Sequence, residues 1–236
     1  MKLDFSRERV LAVVAHPDDA ELLCAGTLAR ARADGAAIGI CAFCQGEKGQ
    51  PAKPIPNIAA VRHRELAAAT KLLGAELFRG GVPDGTLADV KANRQKLTEV
   101  FRRFRPTLVI GHAPEDYHPD HRAASALADA ASWYAASTGY KTKSPPIPCA
   151  PALWFMDTIN AIAFAPEFYV DISEYVTLKE KMLSCHRSQL ARGDEKDFAP
   201  LLDLMRQQCH FRGSQAGVKA AEAFRAHHSF KRTRAW

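Results

Sequence analysis

The sequence predicts an α/β fold, a mostly parallel sheet flanked by helices with a helical C-terminal part. Three observations predict it. Short β-branched apolar runs at residues 9–15 (RVLAVVA) and 107–111 (TLVIG) read as strands buried on both faces. Ala- and Leu-rich stretches of helical length separate such runs, and this alternation implies parallel strands joined by right-handed crossovers. The length of 236 residues is within the ~250 that one α/β unit reaches, so residues 1–236 are read as a single domain.

The elements follow in order. After the strand at 9–15, residues 20–34 form a helix that Gly35 stops. Residues 38–44 are the second strand. Residues 57–73 form a helix with Asn57 as its cap and Gly74 at its end; Leu66, Ala69 and Leu73 share one face. A short strand at 76–79 precedes a Pro83-Asp84-Gly85 turn. Residues 91–104 form a charged helix that ends before Pro106, and 107–111 are the fourth strand. A polar loop at 112–121 leads into an Ala-rich helix over 122–136. Residues 138–151, with four prolines, read as a loop. Strands are expected at 152–156 and 168–172, and helices at 174–191, 198–210 and 215–228.

Composition excludes several classes. Apolar residues at 47% and charged residues at 25% are near the globular average, which argues against disorder and fibrous repeats. No apolar run approaches the ~20 residues of a bilayer span, so no membrane partner is expected. The start, Met1-Lys2-Leu3-Asp4, does not read as a signal peptide. Six cysteines in a chain able to build its own core then suggest free thiols and a cytoplasmic location. Cys41-x-x-Cys44 lies in a strand, where residues three apart face opposite sides, so it reads as buried small hydrophobes rather than a zinc knuckle. No G-x-G-x-x-G follows the first strand, which argues against a nicotinamide cofactor. The basic end, Lys231-Arg232-Thr233-Arg234, reads as a solvated terminus rather than a nucleic-acid contact. The net charge of +6 suits an anionic small-molecule substrate.

In open parallel sheets, sites form beyond the carboxyl ends of the strands. Two loops there are dense in metal-type ligands: His16-Pro17-Asp18-Asp19 and Asp116-Tyr117-His118-Pro119-Asp120-His121. Imidazole with carboxylate suits zinc, although iron and cobalt accept the same donors. His16 and Asp19, three apart at a helix start, converge, and one histidine of the second loop completes a three-ligand set. Such a set leaves a position open for water, as a catalytic zinc requires. Asp18, a carboxylate outside the set, is the natural general base. Each acid also suits a helix N-cap, but capping does not call for His16, His118 and His121 as well. His63, His112 and His210 read as structural or exposed, and for His186 a helix-packing role stands level with a functional one. His227 and His228 are left without a role.

These motifs resemble the paired signatures of the PIG-L/LmbE zinc deacetylase family. Further fragments agree in order: Gly46-Glu47-Lys48-Gly49, Arg62 with Glu65, Pro83-Asp84-Gly85, His186-Arg187-Ser188-Gln189 and Ala221-Glu222-Ala223-Phe224-Arg225. The resemblance covers about residues 8–230. Gln45 is a departure, since the family often has Thr there. The family implies a Rossmann-like fold, one zinc per chain, an N-acetylglucosamine-type substrate or its conjugate, and frequent assembly into homo-oligomers. By position His16, Asp19 and His121 match the metal ligands. Asp18 matches the base that takes a proton from zinc-bound water. His118 matches a residue that stabilises the tetrahedral intermediate or protonates the leaving amine, with Asp120 orienting it. Arg62 and Asp84 match sugar-binding positions.

Two rivals stand beside the deacetylase. A minority branch of the same scaffold hydrates a small unsaturated carboxylic acid, but that branch departs from His-Pro-Asp-Asp, which this chain keeps. A phosphoacceptor receiver domain also places paired acids after its first strand. It needs an Asp at the end of the third strand, where this chain has Glu76-Leu77-Phe78-Arg79 running into Gly80-Gly81.

Overall fold

The computed structural model describes residues 3–192 and 200–230, and its seven strands form one sheet. The strands are β1 (Arg9–Val14), β2 (Ala37–Cys44), β3 (Glu76–Val82), β4 (Leu108–Gly111), β5 (Ala152–Met156), β6 (Phe168–Asp171) and β7 (Ala221–Ala226). Their order across the sheet is β3-β2-β1-β4-β5-β7-β6. The first five run parallel, and β7 runs antiparallel to both β5 and β6. The α/β expectation is met, with a mixed edge closing an otherwise parallel sheet.

Strand alternation divides the core into two layers. Val10, Ala12 and Val14 of β1 face one layer with Leu28, Ile40 and Leu66, while Leu11 and Val13 face the other with Leu97, Phe101 and Leu127. Both faces of β1 are therefore dry, which is why its sequence is apolar without a polar alternate. The second layer is covered by α4 (Lys91–Phe104) and α5 (Pro119–Tyr134). The first is covered by α1 (Asp19–Leu23), α2 (Ala25–Ala33), α3 (Ile58–Leu73), α6 (Val176–Leu183) and α8 (Leu201–Ala216), with the single turn α7 (Arg187–Leu190) beyond α6.

Three expectations are corrected. The helix expected over 20–34 is interrupted at Cys24, whose backbone (φ −143°) leaves the helical region between α1 and α2. The helix expected over 174–191 stops at Leu183 and resumes for one turn at Arg187. The helix expected over 215–228 is instead the end of α8 and the strand β7. Ala221-Glu222-Ala223-Phe224 has a helical composition, but tertiary partners override it. The Glu222 carboxylate accepts the first N–H groups of α2, from Gly26 (2.9 Å) and Thr27 (2.7 Å), and pairs with the buried ammonium of Lys179. This fixes β7 between β5 and β6. Residues 198–199 and the basic stretch 231–234 lie outside the described residues. No helix among the described residues is long and apolar enough to cross a membrane, and all six cysteines are free thiols.

The order reverses at β1, whose neighbours are β2 on one side and β4 on the other. The loops leaving β1 and β4 thus open side by side at the carboxyl edge, where a crevice forms.

Glu222→Ala leaves Lys179 as a buried unpaired charge and removes the cap of α2. The loss should be ~3–5 kcal/mol of stability, read as a lower midpoint in urea unfolding. An unchanged midpoint would show that this pair does not hold β7 in place.

Candidate active site

The chain turns sharply after β1. Asp18 has a left-handed backbone (φ 102°), a conformation a non-glycine residue keeps only where its surroundings enforce it. Asp18 stands at the N-terminus of α1 but makes no side-chain capping bond. Its carboxylate instead accepts from the amide of Gln189 on α7 (3.1 Å). Burial pushes the Asp18 carboxyl up to about 6, against the pull of Arg62.

Asp19 is buried and central. Its Oδ2 accepts the His16 backbone N–H (2.7 Å) and lies 3.5 Å from His16 Nδ1 and 3.2 Å from His112 Nε2. Its Oδ1 lies 3.4 Å from His121 Nε2. Burial alone would raise Asp19, but the imidazoles of His121, His112 and His16 hold it well below the usual carboxylate range. Burial works against charge on His16 and His121, yet Asp19 outweighs it and pushes them up to about 9 and about 10, with Asp116 adding to the effect at His121. His112, fully buried, is lowered by burial and then by the charge of His121 to about 4, so it is neutral. It stacks on His121 with ring centroids 3.9 Å apart, and its Nε2 accepts the Ala15 N–H at 3.1 Å.

A second carboxylate stands behind each outer imidazole. Asp116 Oδ1 lies 3.1 Å from His121 Nδ1, and Asp120 Oδ2 lies 3.1 Å from His16 Nε2. In each ring one nitrogen faces Asp19 while the other is braced by an acid, the arrangement that fixes metal-binding histidines. Donor atoms of Asp19, His112 and His121 all lie within 4.8 Å of one another, as do those of His16, His118 and His121. The residues of the expected set His16, Asp19 and His121 meet pairwise through Asp19. Their chemistry fits a zinc-like divalent ion, which imidazole nitrogen and carboxylate oxygen hold.

The remaining expected residues surround the same cavity of about 450 Å³, which His16, Asp18, Asp19, Arg62, Asp84, His118, Asp120 and His121 all line. His118 begins α5, and its Nδ1 accepts the Asp120 backbone N–H at 3.2 Å, which leaves the proton of a neutral ring on Nε2. Burial, followed by the neighbouring imidazoles His121 and His16, lowers His118. The resemblance implies that Asp120 orients His118, and the contact between them is the Asp120 backbone N–H, while the carboxylate turns elsewhere. It meets His16 and the Gly85 N–H (2.7 Å), so only the Asp120 backbone orients His118. The Asp84 carboxylate holds the loop after β2, accepting from Gly46 N (2.7 Å) and Lys48 N (3.1 Å). Arg62 crosses beneath that loop and donates to Gly49 O (3.2 Å). A Cβ on Gly46 would stand 2.4 Å from Arg62 Cδ, and one on Gly49 2.5 Å from Arg62 Nη2. The two glycines of Gly46-Glu47-Lys48-Gly49 make room for this arginine.

Four residues of this neighbourhood had no role in the sequence reading: His112, Gln189, Lys48 and Arg192. His112 directly follows β4, at the strand end where site residues collect, and that position was its signal. Asp116 belonged to the second loop, but its pairing with His121 comes only from the fold. Gln189 reaches Asp18 across 171 residues, which spacing does not reveal. The other histidines lie elsewhere: His186 is buried against Glu21 (3.5 Å), His227 and His228 lie 3.3 Å from Asp129 and Glu167, and His210 is exposed.

Fold and cup together define an α/β protein with a His/Asp metal-type centre at the switch point of its sheet. The chain belongs to the PIG-L family, described as GlcNAc-PI de-N-acetylase, whose profile matches residues 11–132. It is 32% identical over 187 residues to the 1D-myo-inositol 2-acetamido-2-deoxy-alpha-D-glucopyranoside deacetylase of Rhodococcus jostii (strain RHA1). That match covers 66% of this chain and 64% of the relative, so the chain spans just under two thirds of that relative's length. It is 26% identical to the 4-oxalmesaconate hydratase of Pseudomonas putida, over 78% of this chain and 74% of the relative. Among solved structures, a conserved protein of Thermus thermophilus superposes with a TM-score of 0.80 at 36% identity, covering 97% of this chain and all of that one (100%).

Asp116→Ala removes the brace of His121 while leaving every group around Asp19 in place. Zinc affinity, measured by competition with a chromophoric chelator, should fall ~10–100-fold. Unchanged affinity would mean that His121 does not bind through the nitrogen facing Asp19.

Proposed function

We propose that this chain is a metal-dependent hydrolase that removes the acetyl group from an N-acetylglucosamine-type amino sugar or its conjugate. One observation carries the reading. Asp18, buried and unused as a helix cap, lies in the same cavity as the His16, Asp19 and His121 cup. The deacetylase among the relatives supports the amide as substrate. The hydratase relative makes hydration of an unsaturated acid the second outcome to assay.

His16, Asp19 and His121 would hold the ion, zinc by donor type. Bound there, it would supply Lewis-acid polarisation and lower the pKa of water from 15.7 towards ~7. The protein supplies the rest. Asp18 takes a proton from the attacking water, and its raised carboxyl is matched to a base working near neutrality. Gln189 Nε2 holds Asp18 Oδ2, which leaves Oδ1 for that proton. His118, with Nδ1 occupied by the Asp120 N–H, offers Nε2–H to the amide oxygen as negative charge gathers on it. The C–N bond then breaks, Asp18 returns its proton to the departing nitrogen, and acetate and free amine leave. Lys48, Arg62 and Arg192 also line the cavity and offer cationic contacts to the rest of the substrate.

Acetate release from N-acetylglucosamine and its conjugates tests the reading, with hydration of unsaturated dicarboxylic acids assayed in parallel. Acetate release supports it, and hydration alone overturns it. Asp18→Asn should retain zinc and lose ~10²–10⁴-fold in turnover, because it removes a base and not a ligand. Turnover near the wild-type rate would reassign the base. His121→Ala should lose both zinc and activity, and full zinc content in that variant would remove His121 from the ligand set.

A further inference from the structure

The cup has a second side. Ligand atoms of His16, Cys44 and Asp120 also lie within 4.8 Å of one another, and Asp120 Oδ2 is 3.1 Å from His16 Nε2, the ring nitrogen opposite the one that faces Asp19. Cys44 ends β2, and its backbone N–H bonds to Ala15 O at 2.7 Å, which anchors the thiol beside the loop that carries His16. The side chain is buried and makes no hydrogen bond among the described residues. The separation of 3.1 Å between His16 Nε2 and Asp120 Oδ2 is close to the ~3.3 Å edge of a tetrahedron with ~2.0 Å bonds. A thiolate beside an imidazole and a carboxylate selects a soft or borderline ion over magnesium or calcium.

We propose that His16, Cys44 and Asp120 form a second site, for a thiophilic divalent ion such as excess Zn2+ or Cd2+, and that filling it inhibits the enzyme. The site takes from the functional reading only that His16 belongs to the first cup. With both ions bound, the His16 ring bridges them as imidazolate, its protons lost to solvent, and the second ion also removes the Asp120 brace of that ring. Filling the second site therefore weakens the first. The sulfur binds as thiolate, and its proton passes to solvent. His16 and Asp120 line the main cavity, and Cys44 lines a separate small pocket with Pro17, Gln45 and His63.

The test needs no substrate in its first arm. Metal-free protein is titrated with Cd2+ while the ultraviolet thiolate-to-cadmium charge-transfer band is followed. Zinc per chain is counted separately after equilibration with excess Zn2+. Wild type should show the band and bind two zinc ions per chain. Cys44→Ala, and the near-isosteric Cys44→Ser, should lose the band and bind one zinc. Cys149→Ala, which removes the exposed thiol, should behave as wild type. In the second arm, excess Zn2+ should suppress acetate release by wild type and leave Cys44→Ala ~10–100-fold less sensitive. A band of equal strength in the Cys44 variants, or a single zinc per wild-type chain at saturation, overturns the proposal. If acetate is never released, the first arm still decides the site, so its failure is separable from failure of the deacetylase reading.

Discussion

A carboxylate buried in a protein has to be answered by hydrogen-bond donors or positive charge, and Asp19 is where this chain meets that demand. Its two oxygens are met by a backbone amide and by the charged imidazoles of His16 and His121, with the neutral ring of His112 packed beside them, and His112 and His121 both come from the loop and helix after β4. The loop after β1 and the loop after β4 are thereby tied to one atom group. The sheet order makes this meeting available, since β1 pairs directly with β4 and the strand direction puts both loops at the same edge. The demand then passes outward. His121 is braced by Asp116, His16 by Asp120, and Asp120 by the Gly85 amide after β3.

The metal-type ligands, Asp18 and the cationic Lys48, Arg62 and Arg192 line one cavity. Arg62 holds the Gly49 carbonyl while its charge opposes the upward shift of Asp18. Asp84 has a supporting part, since both its oxygens accept loop amides. Its place in the resemblance to sugar-binding positions is matched here by a residue that shapes the loop lining the cavity.

Much of this was legible in the sequence because it is local. Residues 9–15 and 107–111 had to be buried strands, and the His/Asp loops directly follow them. Chain order alone therefore put both loops at strand ends. What sequence could not show was long-range. Ala221–Ala226 has a helical composition and becomes a strand because Glu222 is needed at the α2 N-terminus and beside Lys179. His112 looked like an ordinary core histidine until its stacking on His121 and its proximity to Asp19 were seen. Gln189 belonged to a recognised fragment without a role, and only folding brought its amide to Asp18. The resemblance implied that Asp120 orients His118; its backbone N–H meets that ring, while its side chain turns back to His16, a pairing that only the fold shows.

In the proposed site, three residues from two distant loops grip one ion while Asp18 stays outside its ligand shell. Anomalous X-ray diffraction at the zinc edge, on crystals loaded with one equivalent of zinc, tests this most directly. A single peak is expected among His16 Nδ1, Asp19 and His121 Nε2, with the Asp18 carboxylate beyond bonding distance. A peak elsewhere, or one with Asp18 as a direct ligand, would contradict it.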